Sequence, residues 1–295
     1  MVEMKTARVG DIDLRFVESG GPDPPVVFLH GVTDSLSSYL APMAALSERF
    51  HLFALDFRGH GASGHGGGYR VQDHSKDVQA IVRGVIGRPV VLAGHSLGAL
   101  VAAYTAAFAP DLVCGAMLED PPFFSAQMPR MQAAAEFPIF VGLRELLRWH
   151  KENRQPVEAL AEIVGAWPIH PMLFEGRSLL EIAGPEVVRA RAESLHGLDV
   201  AVLDPVLDGT QFDGFSPETD MTRIRCPVEI LAGEPSLGGT IDREELERLR
   251  AALPNVAYRV LPGMGHFIHH TAPDVYVAEL SRFVERLGKG AVAVA

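Results

Sequence analysis

Apolar positions along this chain fall into two kinds of segment, short continuous runs and longer stretches with helical spacing, and the two alternate except across the middle. Residues 8–9 and 12–18 read as strands joined by the turn Gly10-Asp11. Residues 26–29, Val-Val-Phe-Leu, are apolar throughout, as are 52–55, 90–93 and 113–118. Such runs suit strands covered on both faces. Between them, residues 36–50 and 71–86 repeat apolar side chains at helical spacing, and the small-residue stretch 99–109 predicts a further helix. The alternation resumes at 227–232, with a helix over 242–253, a strand over 257–261 and a last helix over 273–287. In between, strand signals vanish and proline-punctuated helical patterns take over, around 127–136, 139–153, 157–167 and 185–195.

Strand and helix in turn predict an α/β fold, a doubly wound and mostly parallel sheet with helices on both faces. The middle segment is too long to be a structureless loop in a compact domain. It reads as an inserted helical subdomain spanning 122–222, with 1–121 and 223–288 as the core and 289–295 as a frayed tail.

Composition narrows the picture. Of 295 residues 47% are hydrophobic, enough for one sizeable core and a smaller inserted unit. A formal net charge of −11 without any basic run argues against a nucleic-acid or anionic-membrane partner. No apolar run approaches the roughly 18 residues of a membrane span. The two cysteines, Cys114 and Cys226, can form neither a disulfide framework nor a four-thiolate site, and suit a reducing compartment. Met1-Val2-Glu3-Met4-Lys5 lacks the order of a signal peptide, so a cytoplasmic location is expected. Monomer and homodimer are both compatible with this composition.

The candidate chemistry centres on Gly94-His95-Ser96-Leu97-Gly98, which joins the run 90–93 to the helix 99–109. A serine at the apex of so tight a strand–turn–helix needs small residues two positions either side. The helix N-terminus then aims N–H groups at negative charge forming beside Ser96. Serine is a weak nucleophile and needs a base, an orienter for that base and an oxyanion trap. The base candidate is His266, in Pro262-Gly263-Met264-Gly265-His266-Phe267 just after the last strand. His30, His60, His95, His269 and His270 compete, although His30 and His95 sit in tight turns where structural roles fit better. The oxyanion donors expected are the amides of Leu97 and Val32, the latter in the loop His30-Gly31-Val32. Gly64-His65-Gly66-Gly67-Gly68 has no lysine after it and reads as a flexible loop rather than a phosphate cradle. No metal and no cofactor is called for.

These motifs, in this order, resemble the α/β-hydrolase fold superfamily. His30-Gly31 resembles its oxyanion loop, Asp56-Phe57-Arg58-Gly59-His60-Gly61-Ala62-Ser63 its turn after the fourth strand, Gly94–Gly98 its nucleophile elbow and Gly265-His266 its histidine loop. The insertion falls where that family carries its cap. Asp56 and Arg58 are read as bracing their turn. Serine at the elbow disfavours the epoxide-hydrolase and dehalogenase branches, which use aspartate there. One position departs from the pattern: the family usually places its acid after the seventh strand, where this chain has Gly233-Glu234-Pro235-Ser236. A minority arrangement uses the end of the sixth strand, here Leu118-Glu119-Asp120-Pro121-Pro122. Strand alternation sends Glu119 and Asp120 to opposite faces, and Asp120, nearer the carboxyl edge, is the expected acid. Glu234, Asp242 and Glu119 are the alternatives.

The resemblance implies a serine hydrolase with the triad Ser96, His266 and Asp120, cleaving a small, mainly apolar ester, lactone or thioester. Carbon–carbon bond hydrolysis beside a ketone, cofactor-free oxygenation and ligand binding without turnover are the rival readings. Phe123, Phe124 and Met128, just past Asp120, are expected to line the pocket. The insertion's other large apolar residues, Met172 and Phe174 among them, are expected to be its own core.

Overall fold

The computed structural model describes residues 3–167, 177–253 and 255–290. The strands are β1 Glu3–Val9, β2 Ile12–Ser19, β3 Val26–Leu29, β4 Leu52–Leu55, β5 Val90–His95, β6 Val113–Glu119, β7 Val228–Ala232 and β8 Val256–Val260. They make one sheet in the order β1-β2-β4-β3-β5-β6-β7-β8. β1 and β2 pair antiparallel, as do β2 and β4, and every later pair is parallel. The core helices before the insertion are α1 Leu40–Leu46, α2 Val71–Ile81 and α3 Leu97–Phe108. Between β6 and β7 lie α4 Arg130–Ala133, α5 Glu136–Glu152, α6 Val157–Gly165, α7 Leu179–Gly197, α8 Asp204–Asp208 and α9 Pro217–Asp220. Then come α10 Arg243–Ala252, α11 Ile268–Thr271 and α12 Pro273–Gly290.

The central strands β3 to β7 are buried at nearly every position because both faces are covered. Val27, Leu29, Leu92, Leu118 and Ile230 pack on one side with Val78 of α2 and Leu100 of α3. Phe28, Ala54, Ala93, Met117 and Leu231 pack on the other with Met43 of α1 and Leu280 of α12. The chain steps from β3 to β4 on one side, then returns to place β5 on the other side of β3. That reversal opens a crevice beyond the carboxyl ends of β3 and β5, where ligands bind in open α/β sheets.

Where the fold differs from the sequence reading, the reason is local. β1 begins at Glu3 rather than residue 8; none of its side chains is buried, so it leaves no apolar signal and is held by its ladder to β2. α7 starts ahead of the expected 185, but a break at Gly184 (φ 80°) before Pro185 separates its first turn from the rest. α8, α9 and α11 span 5, 4 and 4 residues, too short for periodicity to reveal. α12 runs to Gly290, whereas residues 291–295 of the expected tail lie outside the described residues, as do Met172 and Phe174. Among the described residues no helix is long and apolar enough to cross a membrane.

Candidate active site

The turn after β5 is shaped by its glycines. A Cβ on Gly98 would come within 2.0 Å of the Leu29 carbonyl oxygen at the end of β3, and one on Gly94 within 2.3 Å of the Gly98 oxygen. Any side chain at either place would push the turn open. Ser96 takes φ 51° and ψ −115°, a conformation L-residues rarely adopt. Its N–H donates to the Glu119 carbonyl at 3.1 Å, and its own carbonyl accepts the first α3 bonds from Ala99 and Leu100. Ser96 is partly exposed between buried neighbours, and Leu97 is the first residue of α3, where an N–H has no intrahelical acceptor.

The loop after β3 meets this turn closely: a Cβ on Gly31 would lie 3.6 Å from Ser96 Cβ. Two buried histidines hold the loop in shape. His30 donates from Nδ1 to the Gly31 carbonyl at 2.8 Å and accepts the Phe57 N–H at Nε2, 3.1 Å away. Burial, then the neighbouring His60, pushes the His30 pKa down to about 3, so the ring is neutral and can accept. His60 Nε2 faces the Val32 carbonyl at 2.9 Å, which fixes the peptide that follows Val32. Asp56 accepts the N–H groups of Leu36 and Ala62, and Arg58 forks onto Asp77, so both brace the turn after β4.

His266 and Asp120 come together. His266 Nδ1 lies 2.6 Å from Asp120 Oδ2, which leaves Nε2 as the free ring nitrogen. Asp120 follows β6 at φ 42°, and this turn carries its carboxylate over the loop after β7. There Oδ1 accepts the Gly233 N–H at 3.0 Å and Oδ2 the Thr240 N–H at 2.8 Å. Thr240 Oγ1 also donates to the Asp120 carbonyl. Thus the loop after β7 supplies the donors that hold the Asp120 carboxylate. Sequence reasoning missed Gly233 and Thr240; the available signal was Gly238-Gly239, which lets the chain double back. Gly238 has φ 88°, and a Cβ on Gly239 would sit 2.5 Å from the Gly233 oxygen.

The alternative carboxylates are engaged elsewhere. Glu234 accepts the Gly263 N–H, Asp242 caps α10 by accepting from Glu245 N–H, and Ser236 lies in the 3₁₀ turn Pro235–Leu237. Glu119, fully buried, accepts both the main-chain N–H and Nδ1–H of His269. Burial raises the Glu119 pKa, and burial drives His95 and His269 well below 6.5. His270 is 3.6 Å from Asp34. His266 and His270 do stand in a His-x-x-x-His spacing, but the helical turn Ile268–Thr271 begins after His266, whose Nδ1 is committed to Asp120.

Beyond Asp120 the chain enters the insertion through two aromatic residues. Phe123 is fully buried and Phe124 nearly so, with the Arg248 guanidinium 4.9 Å from the Phe124 ring centre. Met128 is half-buried against Gly209. The insertion is anchored to the loop after β3 through α7. Arg191 donates to the Thr33 carbonyl, Thr33 Oγ1 and Asp34, and Ser194 Oγ lies 2.8 Å from Ser35 Oγ.

The sequence profile of the alpha/beta hydrolase family matches residues 26–279. The chain is similar to 2-(acetamidomethylene)succinate hydrolase of Mesorhizobium japonicum, 29% identical over 289 residues that cover 94% of this chain and 93% of that protein. Among solved structures it is similar to the enol-lactonase from Burkholderia xenovorans LB400, with TM-score 0.72 and 18% identity over 95% of this chain and 100% of that one. It also resembles a thermophilic esterase from Thermogutta terrifontis, with TM-score 0.71 and 20% identity over 97% of this chain and 99% of that one.

Proposed function

The chain belongs to the alpha/beta hydrolase family, and on that footing we propose that it is a serine hydrolase of small, mainly apolar carboxylic esters, lactones or thioesters. The observation that carries the reading is the 2.6 Å contact of Asp120 with His266 Nδ1, on the same sheet edge as the Ser96 turn. With Nδ1–H held by the carboxylate, Nε2 is the basic nitrogen. It takes the Ser96 Oγ proton as the oxygen bonds to the substrate carbonyl carbon. The resulting oxyanion accepts the N–H groups of Leu97 and Val32. Nε2–H then protonates the departing alkoxide, and water, deprotonated by the same nitrogen, cleaves the acyl-serine. Asp120 stays ionised throughout and stabilises the imidazolium. Every step uses groups of this chain and water.

Residues 122–222 act in this reading as a cap over the core formed by 1–121 and 223–288. Phe123, Phe124 and Met128 contribute the apolar wall of the acyl or alcohol pocket. The free thiols Cys114 and Cys226 suit work in the cytoplasm.

Similarity to a hydrolase whose substrate name carries an acetamido group favours a second reading, amide cleavage by the same serine. Paired p-nitrophenyl esters and p-nitroanilides of one short acid separate the two. The proposal expects a nitrophenol burst equal to the enzyme concentration and anilide turnover at least about tenfold slower. Faster anilide turnover selects the amide reading, and absence of both burst and turnover contradicts hydrolysis at this site.

A further inference from the structure

Ser96 and His266 reach the sheet edge from distant parts of the chain, and a third side chain ties their main chains together. His95, the last residue of β5, points Nε2 at the His266 carbonyl oxygen, 3.0 Å away, with the two ring centres 4.6 Å apart. A carbonyl only accepts, so this nitrogen carries the hydrogen. The buried ring is neutral and holds one hydrogen, which leaves Nδ1 bare; that atom has no partner among the described residues. A Cβ on Gly31 would lie 2.9 Å from it. One imidazole therefore touches the loops that carry Ser96, His266 and Val32.

The ring is held from behind. His269, fully buried, lies with its centre 4.9 Å from that of His95. Its Nδ1 is 2.8 Å from Glu119 Oε1, and Tyr39 stacks on it at 4.9 Å while donating its hydroxyl to the Leu29 carbonyl. The end of β6 thus sends one carboxylate to each of two histidines, Asp120 to His266 and Glu119 to His269. Asp34 joins His95 and His269 in a group whose ligand atoms lie within 4.8 Å of one another. That composition could suit a cation, but Asp34 is already neutralised by the Arg191 guanidinium, whose charge a second cation would have to adjoin.

We propose that His95 is a positioning residue: its Nε2–H pins the His266 main chain to the Ser96 turn, with the Glu119–His269 pair as its backing. The inference rests on reading Ser96 and His266 as nucleophile and base. Asp120 grips the His266 ring at one atom, about which the ring could still pivot. Fixing the carbonyl of the same residue removes that freedom and sets where Nε2 points. A misplacement of about 1 Å at such a site costs on the order of 100-fold in rate.

The test compares His95→Phe, which keeps a ring without a donor, with His95→Gln, whose amide nitrogen stands as many bonds from Cα as Nε2 does. Wild type and variants are assayed for kcat and KM on a p-nitrophenyl ester and for the rate of fluorophosphonate labelling at Ser96. Expected are a fall of about 30- to 100-fold in kcat and labelling for His95→Phe, KM within about twofold, and recovery of most of the loss in His95→Gln. Should His95→Phe not fold, His95→Gln is compared with His95→Asn, whose amide is one carbon short, and must exceed it about tenfold in kcat. Equal rates in donor and non-donor variants, or a loss expressed in KM alone, overturn the positioning role while leaving the nucleophile intact. Wild type that is neither labelled at Ser96 nor active on the ester overturns the reading of the site as well.

Discussion

The carboxyl edge of the sheet and the helical insertion above it are built by different means. At the edge, main-chain geometry does the placing. Ser96 sits in a turn closed by two glycines, and Asp120 turns at φ 42° so that two peptide N–H groups can meet its carboxylate. The insertion meets the loop after β3 through side chains, chiefly Arg191 and Ser194 of α7. Its helix α5 keeps large apolar groups in solvent, with Ile139 66% and Trp149 50% exposed. The close backbone approaches at Gly94 and Gly98 admit no side chain there, whereas attachment by a few side chains can be altered without unfolding the core.

That contrast is sharpest for the acid. Asp120→Asn keeps the size of the side chain but turns one oxygen into an amide nitrogen, against a set of groups that all donate. Its kcat should fall about 10⁴-fold, near the loss seen when a triad aspartate is replaced elsewhere. Glu234→Gln and Asp242→Asn keep an accepting oxygen for Gly263 and Glu245 and should stay within about tenfold of wild type. The ranking of the three at one pH, on one ester, is the check. A crippled Glu234→Gln beside an active Asp120→Asn would show that the edge is wired differently.

Arg191→Met tests the other half of the comparison. It strips three donors from Thr33 and Asp34 and leaves a buried carboxylate without its cation, which should cost about 3 kcal/mol in urea unfolding. Burial alone would raise the Asp34 pKa, but Arg191 and then His270 hold it well below 3.8. A carboxyl with a depressed folded pKa stabilises fully above its unfolded value and loses this as pH falls through the folded one. The destabilisation by Arg191→Met should therefore be full at neutral pH and shrink below about pH 4. kcat should drop less, about tenfold, because His30 and His60 still hold the Val32 loop.

Glu119 gives the opposite pH sign. Burial raises its pKa above 4.5, so the native state favours the protonated form and its contribution is full below that value and lost as pH rises through the folded pKa. Glu119→Gln keeps the accepting oxygen for His269 but cannot ionise. The stability of wild type minus that of Glu119→Gln should decline as pH rises above about 4.5, measured by thermal unfolding from pH 4 to 8. A difference independent of pH would mean that Glu119 does not titrate across that range. The smallest effect belongs to the insertion's first residues. Phe124→Ala and Met128→Ala should change the ratio of kcat/KM between short and long esters about fivefold, roughly 1 kcal/mol, with the chemistry retained.

The same division decided what could be read from the sequence. Strands β3 to β6 announce themselves as apolar runs, and the glycines around Ser96 are required because a Cβ at Gly98 or Gly94 would come within 2.0 or 2.3 Å of a main-chain oxygen. Asp120 needed more than pattern: strand alternation separated it from Glu119, and a resemblance supplied the idea of an acid after β6. Thr240 itself leaves no mark, because it acts through a main-chain N–H that any residue except proline would offer, and only Gly238-Gly239 signals the doubling back that brings it there. Nor does Arg191, whose partners lie more than 150 positions away and share no periodicity with it. The first five residues of β1 escaped for the reverse reason, since an exposed edge strand carries no burial pattern.

The central claim is that Ser96 is the nucleophile of an edge built by β3, β5, β6 and β8. It is tested most directly by reacting the protein with a fluorophosphonate, digesting it and mapping the adduct by mass spectrometry while esterase activity is followed. The account predicts one adduct, on Ser96, formed in step with complete loss of activity and absent from Ser96→Ala. An adduct on another serine, or ester hydrolysis that survives full modification of Ser96, would contradict it.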